Sequence, residues 1–261
     1  MAPEMAPAYS AFDGKRLIAA ALIAASLGGP WSAASAAPGW LRNAFGESGG
    51  DGRGLEAPPV ACYRIDEGGV VVLDRSQKHP LMKFENSSEI WALTADRAPR
   101  GDIIYRNDLG RPVLRATRLG GLTVFTRRRP EGAAAWLAGA CSPLRLAPLG
   151  PLALYQRLFQ ASVHSSRIAQ HLIGFDAPDA GPPSDALIAD AALVVVSALS
   201  TVASLPRGKA LLAKIGKIAF LEGRRAGVSL SGGVVTITVA PSQGVAGRPS
   251  SGRILEALGF R

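Results

Sequence analysis

Histidine is scarce in this chain: 3 residues in 261, at positions 79, 164 and 171. His164 and His171 stand seven apart, which could place both on one helix face, but no zinc-protease spacing occurs. No metal centre is therefore expected, and the pair reads as an exposed polar face. A Ser-x-x-Lys motif and the phosphate-loop pattern are also missing. These gaps lower the expectation of an enzyme and leave only sites assembled from distant residues. No cofactor is expected. No segment repeats with a period of about 20–50 residues, which excludes a solenoid or propeller.

Cysteine is nearly as rare, with Cys62 and Cys141 alone. Neither belongs to a Cys-x-x-Cys pair, so a dithiol redox motif is excluded. In an oxidising compartment an even pair is most simply a disulfide. Closing a loop of roughly 80 residues would contribute about 4 kcal/mol in the chain-entropy account, less any native strain. Lysine is sparse too: positions 15, 78, 83, 209, 214 and 217 are the only lysines among 29 basic residues. With so much Ala, Gly and Pro alongside, that skew fits a GC-rich genome. The net charge is +9 and the sequence pI about 10.1. Such a balance attracts anions such as lipid headgroups, lipopolysaccharide or acidic glycans.

Long apolar runs number two. Lys15 and Arg16 precede Leu17–Leu27, a run of only 11 residues, followed by Gly28-Gly29-Pro30 and then Ala34-Ser35-Ala36. That is the charged start, short apolar middle and Ala-x-Ala site of a secretory signal peptide. The run is too short to span a bilayer, which takes about 20 apolar residues. Residues 1–36 are thus expected to be removed near Ala36, leaving a periplasmic or secreted chain. Export makes nucleic acid an unsuitable partner. The second run, Ala186–Leu205, has the length of a membrane span, and a basic cluster follows it. Asp190 lies inside it, however, and much of the rest is Ala and Ser, so a buried core helix is expected instead.

Between these runs the texture changes twice. Residues 37–59 are Gly-, Asp- and Ser-rich and read as a flexible linker. From Val60 to about residue 145, short apolar runs alternate with turn residues every ten or so positions. The runs are Val60–Ile65, Val70–Asp74, Leu81–Phe84, Ile90–Leu93, Asp102–Arg106, Val113–Arg118 and Leu122–Thr126. This spacing predicts an antiparallel β meander curling into a barrel or sandwich. Cys62 falls in its first strand and Cys141 beyond its last, so a bridge would tie the two ends.

Residues 146–261 read as a helical module. Pro151 opens a helix whose apolar face is expected to be Leu152, Tyr155, Leu158, Phe159, Ser162 and Val163, with Gly174 as its stop. Ser184 is placed to cap the next helix, and Lys209–Lys217 to form a short basic one. Val228 and Leu230, then Val235, Ile237 and Val239, alternate as a β hairpin. Ser250 and Ser251 start a final helix that docks through Ile254, Leu255 and Leu258. The fold class expected is α+β.

The candidate site is the arginine-bearing strands. Nine arginines and three aspartates crowd positions 96–129. With a cooperating register, Arg100, Asp102, Arg106, Arg115 and Arg118 would form a basic surface for an anionic envelope component or an exported protein. The plain alternative is a solvated face with local ion pairs of little energetic weight. A hydrolase would have to be assembled from Asp102, Asp108 and His164.

The blocks Ile90–Leu93, Arg100–Gly110, Leu114–Thr126 and Gly247-Arg-Pro-Ser-Ser251 carry a resemblance. Together with Arg253-Ile-Leu they are similar to an uncharacterised family of exported alphaproteobacterial proteins, defined as a domain of unknown function. The resemblance implies export and one shared architecture, and transfers no catalytic residue. A β meander with one disulfide also resembles, more loosely, small periplasmic barrel inhibitors of proteases.

Overall fold

The structure, a computed structural model, describes residues 57–66 and 68–260. The expected signal peptide, and the linker up to residue 56, lie outside the described residues. Residues 57–59 are held by Arg75, which donates to the carbonyls of Ala57 and Pro58 at 2.6 and 2.8 Å.

Period-two alternation sets the first strands. In β1 (Val60–Ile65) Ala61, Tyr63 and Ile65 are buried, while Cys62 and Arg64 point away. An antiparallel meander continues through β2 (Val70–Asp74), β3 (Leu81–Phe84) and β4 (Ile90–Ala92). A single residue, Leu93, separates β4 from β5 (Thr94–Arg97), and β5 pairs with β6 (Ile103–Arg106). The meander goes on through β7 (Pro112–Ala116) and β8 (Leu122–Val124) to β9 (Ala133–Ala140), which pairs back onto β1.

The nine strands therefore run β4-β3-β2-β1-β9-β8-β7-β6-β5. The two outermost strands are consecutive in the chain, so the sheet curls into a nearly closed barrel. Leu93 turns that corner at 1 % exposure, its N–H donating to the Pro80 carbonyl at 2.8 Å. Tyr63, Leu73, Met82, Tyr105, Leu114 and Val124 fill the interior, which is a packed core. Cys62 and Cys141 are disulfide-bonded with Cα atoms 5.6 Å apart, closing the seam between β1 and the residue after β9. A persistent disulfide is a feature of oxidising compartments rather than the cytosol.

The second half has helices around a mixed sheet. α1 (Pro151–Ala169) buries Leu154, Leu158, Ala161 and Ser165, which differs from the expected face. Leu152, Tyr155 and Phe159 are 72, 68 and 61 % exposed. The cause lies in its partner, α2 (Asp185–Ser204), which is rich in alanine: small residues on both helices permit close approach, and the bulkier stripe is left outside. Gln170, in the left-handed region at φ 61°, ends α1, and Gly174 instead starts strand β10 (Gly174–Asp176). Ser184 precedes α2, but its hydroxyl donates to the Gly181 carbonyl and provides no cap.

α2 is long and apolar enough to cross a membrane by length and composition. Here eleven of its residues are buried among α1, α3 (Gly208–Leu212), α4 (Ser251–Ala257) and the sheet. The expected helix over Lys209–Lys217 ends at Leu212, and Lys217 opens β11 (Lys217–Glu222). The expected hairpin is present as β12 (Gly227–Ser231) and β13 (Val234–Val239). It forms one side of a four-stranded sheet, β10-β11-β13-β12, whose β10–β11 and β11–β13 pairs are parallel. Ile218, Phe220, Val235, Ile237 and Val239 turn inward to α2. A third small cluster, Leu81, Ile90 and Val245 with Ala92, Leu144 and Leu146, lies between the two main cores.

Candidate functional site

Strand register decides what the arginines do. Ile104 pairs with Asp96 on one side and Arg115 on the other, so these three share the outer face of the barrel. Arg106 joins them and donates to Asp96 at 2.9 Å and to the Gly110 carbonyl at 2.9 Å. Arg115 grips Asp102 through Nε and Nη2, at 2.9 and 2.5 Å from the same carboxylate oxygen. Asp102 is buried at 6 % exposure, just ahead of β6. The Arg115 hydrogen bonds hold its carboxyl below the usual aspartate range against the opposing effect of burial; the Arg118 backbone and the Arg100 charge add to the lowering. Arg100 stands in the tight turn Pro99–Gly101 at φ 70°, a left-handed position. The five candidates thus divide. Arg106 and Arg115 are in ion pairs, while Arg100 and Arg118, both exposed, make none among the described residues.

A second polar cluster joins the halves, and it is built largely from blocks that carry the family resemblance, although no motif in the sequence says that they meet. Arg248, 5 % exposed, donates through Nε to Asp190 of α2 and through Nη2 to the Ile90 carbonyl at 2.8 Å. Glu89 lies 3.9 Å from its other nitrogen. Ser250 and Ser251 complete the stitching. Asp108, in the β6–β7 turn, accepts from the Ser250 N–H at 3.0 Å and its hydroxyl at 2.7 Å. Glu89 accepts from the Ser251 N–H at 2.8 Å and its hydroxyl at 2.6 Å. Two barrel carboxylates therefore occupy the N-terminus of α4, where free N–H groups and the helix dipole favour negative charge. Gly247 is required by close approach, because a side chain there would strike the Ala240 carbonyl. The stretches flanking residues 90, 108 and 250, separate in the sequence, meet at this joint.

Beside the joint lies a groove of about 870 Å³ with walls from both halves. Trp91 and Phe125 come from the barrel side, Thr201, Leu255 and Phe260 from the other. All five are partly exposed. Arg111 and Arg127 also line it.

The residues named for a hydrolase do not converge. Asp102 is paired with Arg115, Asp108 is engaged by Ser250, and His164 is exposed on α1. The His171 ring sits between the carbonyls of Ala169 and Ile215 at 3.1 and 2.8 Å, tying the end of α1 to the start of β11. No group of three potential metal ligands occurs among the described residues. The sequence does contain one hydrolase-like pattern: Gly46-Glu-Ser-Gly-Gly50 fits Gly-x-Ser-x-Gly. It lies outside the described residues, in a Gly-rich run without the strand and helix pattern that motif requires.

Comparison with known proteins gives one match. Residues 41–258 match the family described as Domain of unknown function (DUF4908), and the chain belongs to it. No curated protein and no solved structure matches the chain.

Proposed function

We propose that this member of the DUF4908 family is an exported, non-catalytic binding module of the cell envelope, with an anionic ligand or partner. Capture falls to Arg100 and Arg118, not to the whole arginine set. The observation that carries this is the surplus of charge at Asp102. One buried carboxylate is neutralised by Arg115; the charge of the exposed Arg100 also reaches it, the exposed Arg118 side chain runs beside the adjacent Gly101, and neither of these two has an ion-pair partner among the described residues. Such groups bind phosphate or carboxylate through paired hydrogen bonds. Export rests on the Lys15–Ala36 pattern and is supported by the Cys62–Cys141 bridge. The binding reading is favoured over catalysis because Asp102, Asp108 and Glu89 are each engaged in holding the fold.

The test is retention of the native protein on lipopolysaccharide and acidic-glycan resins at low and high salt. Charge reversal at both Arg100 and Arg118 is expected to lower low-salt retention at least about tenfold, since exposed charges bind through screened electrostatics. Reversal at the exposed Arg224 and Arg225 changes net charge equally and is expected to leave it nearly intact. Equal losses in both variants would mean that net charge alone is responsible, and the reading would be wrong.

A further inference from the structure

The groove beside the joint points to a ligand of a different kind. Its volume of about 870 Å³ is of the size that holds small molecules, roughly 300–1,000 Å³. Its walls include large apolar side chains that the cores leave partly exposed: Trp91 packs against the barrel core, Leu255 and Phe260 against the helical one, and all three, with Phe125, line the groove. Exposed apolar surface gathered into a concavity marks a binding site more often than a scattered Leu does.

Charge along the groove is asymmetric. Two acidic residues line it, and both have partners. Asp108 is engaged by Ser250, and Glu256 faces Arg253 at 3.8 Å. Arg248 is occupied by Asp190 and Glu89. Arg111 and Arg127 are exposed and form no ion pair among the described residues. The Phe125 N–H donates to the Val113 carbonyl at 2.9 Å, extending the β7–β8 register outward. Beyond Phe125 the chain bends, with the Thr126 N–H donating to the Arg129 carbonyl at 3.1 Å, and both Arg111 and Arg127 line the groove.

We propose that this groove binds a long-chain amphiphilic anion of the fatty-acid type. Its tail lies between Trp91, Phe125, Leu255 and Phe260, and its carboxylate meets Arg111 and Arg127. An apolar trough lined also by two arginines without ion-pair partners among the described residues complements a molecule that is apolar along its length and anionic at its end. A free phosphate would leave the trough empty, and a neutral lipid would leave the arginines unused. The site is independent of the Arg100–Arg118 surface.

The experiment is titration of the native protein with palmitate below its micellar concentration, with hexadecanol and inorganic phosphate as the two comparison arms. Saturable palmitate binding is expected, at least about tenfold tighter than hexadecanol, with no comparable binding of phosphate alone. Arg111→Glu with Arg127→Glu, both at exposed positions, is expected to remove the preference for palmitate and leave hexadecanol unchanged. Thr201→Trp, which fills the groove from α2, is expected to weaken both lipids. Charge reversal at Arg100 and Arg118 is expected to leave palmitate binding intact, so failure of the surface reading is distinguishable. The proposal is overturned by non-saturable palmitate uptake, by equal affinity for hexadecanol, or by palmitate affinity unchanged in the Arg111/Arg127 variant.

Discussion

The barrel and the helical half each bury a sheet, and they do so by opposite routes. The barrel closes on itself: neighbouring strands in the chain pair with one another, the last returns to the first, and a disulfide seals the seam. Its core needs little from elsewhere. The second sheet is open, contains two parallel pairs, and has no covalent tie. Its apolar face is covered by α2, and α2 is covered in turn by α1 and by α4 near the chain end. Local antiparallel closure lets a sheet cover its own interior, whereas parallel pairing of distant strands depends on helices supplied before and after them.

That contrast is broken most severely at Arg248. Its partners are Asp190 in one half and Glu89 and the Ile90 carbonyl in the other. Arg248→Ala leaves two carboxylates in the joint without their cation, a change expected to cost about 3–5 kcal/mol. Urea unfolding should then resolve into two transitions, the helical half melting first. A single transition at the wild-type midpoint would show that the joint does not couple the halves.

Removing the bridge is expected to act on the other side. Cys62→Ser with Cys141→Ser opens a loop with a sequence separation of 79 and should destabilise the barrel by about 2–4 kcal/mol. Hydrogen exchange should rise in β1 and β9 and change little in α2 and β13. Uniform acceleration across both halves would argue against a self-sufficient barrel.

Acid provides the smallest separation. Asp74 and Asp102 both belong to the barrel. For Asp74, burial would raise the pKa, but hydrogen bonds from the Ser76 hydroxyl and N–H, the Leu144 N–H and the Gln77 side chain outweigh it and hold the carboxyl low. Asp102 is held low by Arg115. A folded pKa below the unfolded one contributes stability that is full above the ordinary aspartate value, about 3.9. It is lost as pH falls through the depressed folded value. The thermal midpoint of the barrel should therefore drop on acidification below about pH 4, and Asp102→Asn should flatten part of that drop. An unchanged slope would remove Asp102 from the account.

Much of the barrel is legible in the sequence because its strands alternate and its turns are marked by Gly, Asn and Asp. Two strands are not. β9 reads Ala-Ala-Ala-Trp-Leu-Ala-Gly-Ala, a composition with little β preference, and is a strand because β1 and β8 need a partner. β5 exposes all four residues and lacks a buried face to reveal it. In the second half β12–β13 is visible as a hairpin, while β10 and β11 are not, because parallel partners leave no turn signature between them. The arginine surface is legible as composition. Which arginines carry free charge is not, since the Arg115–Asp102 pair depends on positions 13 apart meeting across a bulged sheet. The groove is invisible, as its lining runs from position 90 to position 260.

Arg248 also makes the clasp independent of the backbone link. Its partners stand at positions 89, 90 and 190, all far from it along the chain, so side chains rather than the connecting backbone hold the halves together. A proteolytic cut in the irregular, largely exposed stretch 142–150 would sever the covalent link and leave that clasp in place. The two fragments are expected to stay together as a non-covalent pair.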